Sequence, residues 1–229
     1  EQVRAQVAYT GLNVKLVGGY AGLSDFADGA SHQSVEDLAV LRAIPNLAVV
    51  APSDAVEMRQ ALRAAVAHDG PVFLRVSREA VGEDYDPATH PFRLGRGIVL
   101  REGADVTFVA TGTMVRLARE AAEALQREGV SAGVIDLHTV KPLDEDLLVR
   151  AANATGAIVT VEEHSVLGGL GSAVCETLCA RRPTTVVRCG IPDRFGESGA
   201  YGEILARAGL DVGSLCRAAR QAVERKGAR

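Results

Sequence analysis

LAVVAPSDAVEMRQALRAAVAHDGPVFLRV, residues 47–76, decides the fold class. Leu47–Ala51 is a short apolar run with adjacent valines, which reads as a buried strand. Pro52–Ser53–Asp54 opens a helix, and Met58, Leu62, Ala65 and Val66 recur at helical spacing along one face. Gly70–Pro71 stops that helix, and Val72–Val76 is apolar again. Strand, helix and strand in so short a span form a βαβ unit, whose strands run parallel.

The same alternation extends in both directions. Upstream, Asn13–Val17 reads as a strand ending at Gly18–Gly19, and a Gly/Asp/Ser-rich loop runs from Gly22 to Ser34. Ser34 and Asp37 are spaced like a capping box for a helix carrying Val35, Leu38 and Leu41, which Pro45 ends. Downstream, Gly82, Asp84, Pro87, Pro91, Gly95 and Gly103 break the pattern, and only Gly97–Leu100 looks strand-like. Strands are then expected at 105–110, 132–136, 157–161 and 184–188, with helices at 114–128, 143–152, 169–180, 202–208 and 212–224. The expectation is two three-layer α/β domains with mostly parallel sheets: residues 1–80, a linker at 81–103, and residues 104–229. The first segment has only three strands and reads as the back half of a domain. The chain opens on Glu1 rather than Met, which suits a front half lying upstream.

Composition narrows the function classes. Of 229 residues, 47% are apolar and 24% charged, so a real core is available and disorder is excluded. A net charge of −4 argues against nucleic acid as a partner. No apolar stretch approaches a membrane span, and no signal-peptide pattern opens the chain. Cys175, Cys179, Cys189 and Cys216 form no C-x-x-C pair. They are expected as reduced, mostly buried thiols in a cytoplasmic protein, without a metal site.

Ligands of open α/β sheets bind beyond the carboxyl ends of the strands, so three loops matter. The first, Gly18 to Ser34, carries Tyr20, Ser24, Asp25, Asp28 and His32 among glycines. Asp28 and His32 offer a carboxylate and an imidazole to a polar substrate; the alternative is a solvated loop. The second holds Ser77-Arg78-Glu79, where Arg78 suits a phosphate or carboxylate, or else a surface ion pair with Glu79 or Asp54. The third joins Glu162-Glu163-His164 to Gly168-Gly169-Leu170-Gly171. It lacks the G-x-G-x-x-G order of a dinucleotide site and reads better as a close-packed domain contact. There is no G-x-S-x-G elbow for a hydrolase.

Four pieces in order, Asp28-Gly29-Ala30-Ser31-His32-Gln33, Glu36-Asp37-Leu38-Ala39, Arg42-Ala43-Ile44-Pro45-Asn46 and Ala51-Pro52-Ser53-Asp54, resemble the pyrimidine-binding domain of transketolases. Residues 105–220, with Val161-Glu162-Glu163-His164 and Gly168-Gly169-Leu170-Gly171-Ser172, resemble the transketolase C-terminal domain. The resemblance covers nearly the whole chain and is strongest to the C-terminal subunit of a split transketolase. It implies a thiamine-diphosphate-dependent transferase that moves a two-carbon ketol unit between sugar or sugar-phosphate donors and acceptors. It implies that Asp28 bonds a donor hydroxyl, that His32 bonds substrate oxygens and assists proton transfer, and that Arg78 binds the phosphate end.

Two departures stand out. The family usually has a phosphate-binding histidine where this chain has Tyr20, and a neutral phenol cannot supply that charge, which implies an altered or nonphosphorylated substrate end. The family's cofactor-activating glutamate and pyrimidine-holding aromatics fall upstream of Glu1, and its diphosphate and Mg2+ (or Ca2+) sites belong to another domain. The resemblance therefore implies an N-terminal transketolase subunit as partner, a cofactor bound largely outside this chain, and a dimer or heterotetramer. Alternatives are a deoxyxylulose-phosphate synthase, a 2-oxoacid dehydrogenase β-subunit, transfer to a lipoyl or carrier-protein acceptor, or a noncatalytic assembly partner.

Overall fold

The βαβ unit of residues 47–76 forms as β2 (Ala48–Val50), α2 (Ala55–Ala67) and β3 (Val72–Arg75) in a computed structural model that describes residues 1–227. The Asp54 side chain caps α2, its carboxylate accepting from the Glu57 N–H at 2.7 Å. β3 pairs in parallel with β2 and with β1 (Lys15–Gly18). Every residue of β2 and β3 is buried. Ala48, Val50, Val72 and Leu74 pack toward Ala61 and Ala65 of α2, while Val49 and Phe73 pack toward Leu38 on the opposite face. Burial on both faces is why these strands read as unbroken apolar runs rather than alternating ones.

Leu38 lies on α1 (Asp37–Arg42), and the expected capping box at Ser34 and Asp37 does not form. Glu36 stands at the N-cap without a side-chain cap bond. The Asp37 carboxylate instead takes two bonds from Arg75 Nε at 2.9 Å, and the Ser34 carbonyl accepts from the Arg75 guanidinium at 3.0 Å. A buried guanidinium needs several acceptors, and that requirement outweighs a local cap. Upstream, Val3–Ala8 is a π-helical segment that the sequence pattern does not announce.

The second sheet contains β4 (Ile98–Arg101), β5 (Val106–Ala110), β6 (Ala132–Asp136), β8 (Ala157–Ser165) and β9 (Thr185–Ile191), in the order β4-β6-β5-β8-β9. Its strands are parallel except β4. Phe108, Val134 and Val159 join a core with α3 (Met114–Arg127) and α7 (Val212–Gly227). Val109, Ile135 and Ile158 join another with α4 (Glu145–Thr155) and α5 (Leu170–Arg181). Successive residues of one strand thus feed opposite layers. The short helix α6 (Tyr201–Arg207) packs on the first core through Ile204.

One strand escapes sequence reading. Thr139–Lys141, β7, leaves the second segment and adds antiparallel to β2, completing the first sheet as β1-β3-β2-β7. Three residues before Pro142 carry too little pattern to mark a strand. The cysteines also differ from expectation. All four are free, but only Cys216 is buried and Cys179 is exposed, because α5 turns that position outward.

Candidate active site

The parallel register sets Gly18 of β1 beside Arg75 of β3, so the loops that follow leave the sheet at one end. They are stitched by Val76 N–H to Gly18 O at 2.8 Å and Ala21 N–H to Val76 O at 3.1 Å. Buried Ser24 accepts the Arg78 N–H at 3.0 Å. The Arg78 guanidinium thereby reaches the loop after β1. Its Nη1 pairs closely with Asp25, lies 3.7 Å from Asp28 Oδ2, and the guanidinium carbon sits 5.4 Å from the centre of the Tyr20 ring. Tyr20 holds φ at +59°, a conformation that a bulky residue adopts only when its surroundings impose it.

Tyr20, Asp28 and Arg78 thus form one rim, as separate loops in the sequence. His32 stands on the same loop, exposed, with its Nδ1 3.0 Å from Ser31 Oγ. Its backbone N–H closes a turn on Gly29 O at 2.9 Å. Neither Glu79 nor Asp54 is the partner of Arg78. Asp54 is occupied by the α2 cap and by the N–H groups of Asp84 and Tyr85 at 2.7 and 3.0 Å. Asp25, the fully buried partner, is named in the sequence only as one of the loop's polar residues and given no role there, because nothing local separates it from the other loop carboxylates.

The second unit supports this rim from beneath. Buried Gln33 donates to Asp25 O at 3.2 Å and to Glu197 O at 3.0 Å, and the Gly199 N–H donates to Phe26 O at 3.0 Å. Ser198 occupies the space a side chain at Gly29 would need, and Gly29 has φ +78°. The Glu163 carboxylate accepts from the Leu23 N–H at 2.7 Å, Thr113 Oγ1 at 2.8 Å and Tyr201 OH at 2.7 Å. Burial raises its pKa, opposed by Tyr201 and Arg75. Glu162 accepts the Leu170 and Gly171 N–H groups at 2.7 and 2.8 Å, and burial still lifts it to about 7. The Gly168 carbonyl accepts from Arg42 at 3.2 Å. The glycine loop is therefore filled by the protein's own carboxylate and by α1, as a domain contact is.

A second polar network went unread in the sequence. Glu57 Oε2 accepts the Ser53 N–H at 2.7 Å, and its Oε1 is 3.0 Å from His90 Nε2. Tyr85 donates to Asp136 Oδ2 at 2.5 Å and stacks on His90 at 4.0 Å between ring centres. Burial raises Glu57 to about 7, opposed by the Ser53 N–H and by a hydrogen bond with Asp136, and burial raises Asp136 well above the usual range, with the charge of Glu57 adding to that rise. Burial lowers His90, and it lowers His138 to about 3. These residues come from α2, β6 and the 79–97 crossing, so no single stretch holds a motif.

Among the described residues no group of three or more His, Cys, Asp or Glu is placed to hold a metal ion. No helix among them is long and apolar enough to cross a membrane. A concavity of about 570 Å3 is lined by Cys175, Cys179, Thr184 and Arg225, at the opening end of β9 and apart from the rim.

Family models match two stretches: the transketolase pyrimidine-binding domain at residues 1–83 and the transketolase C-terminal domain at residues 95–215. The chain is 44% identical over 226 residues to the 6-deoxy-6-sulfo-D-fructose transketolase subunit SqwH of Clostridium sp. (strain MSTE9), covering 99% of this chain and 70% of that one. It is 46% identical over 212 residues to a 1-deoxy-D-xylulose-5-phosphate synthase of Symbiobacterium thermophilum, covering 92% of this chain but 32% of that protein. A split-gene transketolase, solved as an inactive β4 tetramer, superposes with a TM-score of 0.91 at 44% identity over 97% of this chain and 71% of its own. With both domain models matched in order and a relative this similar across its length, the chain belongs to the transketolase family.

Proposed function

We propose that this chain is the C-terminal component of a split transketolase, transferring a two-carbon ketol unit between sugars together with an N-terminal companion subunit. The observation that carries the reading is the rim itself: Asp28 and Tyr20, from the loop after β1 that also carries His32, meet Arg78 from the loop after β3 at the carboxyl ends of these parallel strands. Asp28 accepts hydrogen bonds from donor hydroxyls. Exposed His32, its Nδ1 at Ser31, turns its other ring nitrogen to substrate oxygens and carries protons between them. Arg78 and Tyr20 contact the far end of the sugar. Thiamine diphosphate, when bound, supplies the carbon nucleophile. In this reading the companion subunit holds the diphosphate and Mg2+. Relatives named as transketolase subunits, and a structural neighbour described as an inactive tetramer of one subunit type, support a need for that companion and an oligomeric enzyme.

A second reading, a deoxyxylulose-phosphate synthase, has the likeness of the Symbiobacterium enzyme in its favour. One experiment addresses both. The chain is combined with its companion, thiamine diphosphate and Mg2+, and ketol transfer is followed with fructose 6-phosphate or fructose as donor. Turnover that requires both chains is expected, and His32→Ala should lower it by roughly 10²–10⁴-fold while the thermal midpoint stays put, since the side chain is exposed. Pyruvate as the productive donor would favour the synthase. Full activity in His32→Ala would refute the assignment of the rim.

A further inference from the structure

The Arg78–Asp25 pair bears on which sugars this rim accepts. Asp25 is 0% exposed and its Oδ2 is buried with no hydrogen-bond partner among the described residues. A buried carboxylate in that position draws its neutralisation from the one cation it touches among the described residues, the Arg78 guanidinium. Asp28 Oδ2 stands 3.7 Å from the same Nη1. Two carboxylates therefore share one guanidinium, and the ring beneath it belongs to an uncharged phenol.

The remaining groups are suited to hydroxyls. Arg78 Nε and Nη2 make no bond among the described residues and can donate, while Asp28, 58% exposed, can accept. A sugar hydroxyl both donates and accepts, so it satisfies this pattern. A phosphate dianion only accepts, and it would approach a locus that already carries excess negative charge.

We propose that Asp25 is a specificity-determining residue: by neutralising Arg78 from behind, it sets the rim to bind an uncharged polyhydroxylated sugar end and to exclude a terminal phosphate. This inference rests on the rim being the substrate site.

The test uses inorganic phosphate as probe on the full chain, read at the Arg78 Nε–H resonance by NMR and assigned by its loss in Arg78→Ala. The wild-type resonance should show no saturable shift. Asp25→Asn, which keeps the shape and removes the charge, should gain saturable binding, tightened about tenfold or more. Asp28→Asn, at an exposed position that tolerates exchange, should show a smaller gain in the same direction. In the reconstituted enzyme, Asp25→Asn should lower the KM for fructose 6-phosphate about tenfold against that for fructose, with kcat little changed. Saturable phosphate binding at wild-type Arg78, or no gain in either variant, would overturn the inference. Its failure is separable from that of the site reading, because phosphate binding is read without turnover and the site is judged by His32→Ala activity.

Discussion

The Glu57 carboxyl makes a sharp prediction about stability and pH. It is fully buried, with a backbone N–H on one oxygen and His90 on the other. A carboxylate and an imidazolium there would be a buried ion pair, yet burial moves both toward neutrality, raising Glu57 and lowering His90. The folded protein thus holds a proton on Glu57 that the unfolded chain releases. A rise from 4.5 to about 7 corresponds to about 3 kcal/mol. The sign follows from proton counting: this stabilisation is fully present below about 4.5, is lost as pH rises, and is gone above about 7. Glu57→Gln stays neutral throughout. Its amide oxygen can accept the Ser53 N–H and its amide nitrogen can face Asp136. Urea unfolding followed by circular dichroism at pH 5, 6, 7 and 8 should show near-equal stability at the acid end and a variant more stable by about 3 kcal/mol at the alkaline end. Buried Glu162 and Asp136 tilt the wild-type curve the same way, so the difference between the two proteins is the informative quantity. Parallel curves, with the variant weaker by a constant amount, would refute the reasoning and indicate an ionised Glu57 paired to His90.

Two further outcomes follow from other parts of the structure. Arg75→Met removes the bonds to Asp37, Ser34 and Glu163 and strands a largely buried Asp37 carboxylate, so it should cost roughly 3–5 kcal/mol by urea unfolding; a loss under about 1 kcal/mol would show that the clamp contributes little. Tyr20→His introduces an ionisable ring beside Arg78 and should move the reconstituted enzyme severalfold toward phosphorylated donors near pH 6, where an imidazole of ordinary pKa is largely cationic; an unchanged preference would separate Tyr20 from donor choice.

Much of the architecture was legible because parallel strands buried on both faces carry their own signal. Ala48–Val50, Val106–Ala110 and Ala132–Ile135 are apolar or small but for Thr107, and each became a strand, the last extended by Asp136. Helix α4 was legible from Asp144 and Glu145 at its start; Asp144 caps it through the Leu147 N–H at 3.1 Å. Where tertiary demand competed with local preference, the local reading lost. Ser34 and Asp37 look like a cap, but Arg75 recruits both. β7 has too few residues to declare itself and exists because β2 has an edge to cover.

The candidate site divides along the same line. Residue order alone marked Asp28, His32, Arg78 and Tyr20, because short motifs and strand-end positions are one-dimensional features. Which of them meet was decided by the parallel register of β1 and β3, which brings residues some fifty positions apart to one rim. The pairing of Asp25 with Arg78 and the raised pKa values of Glu57 and Asp136 were decided only in three dimensions. Burial and the identity of a distant partner fix the charge state of a carboxyl, and neither is written beside it in the chain.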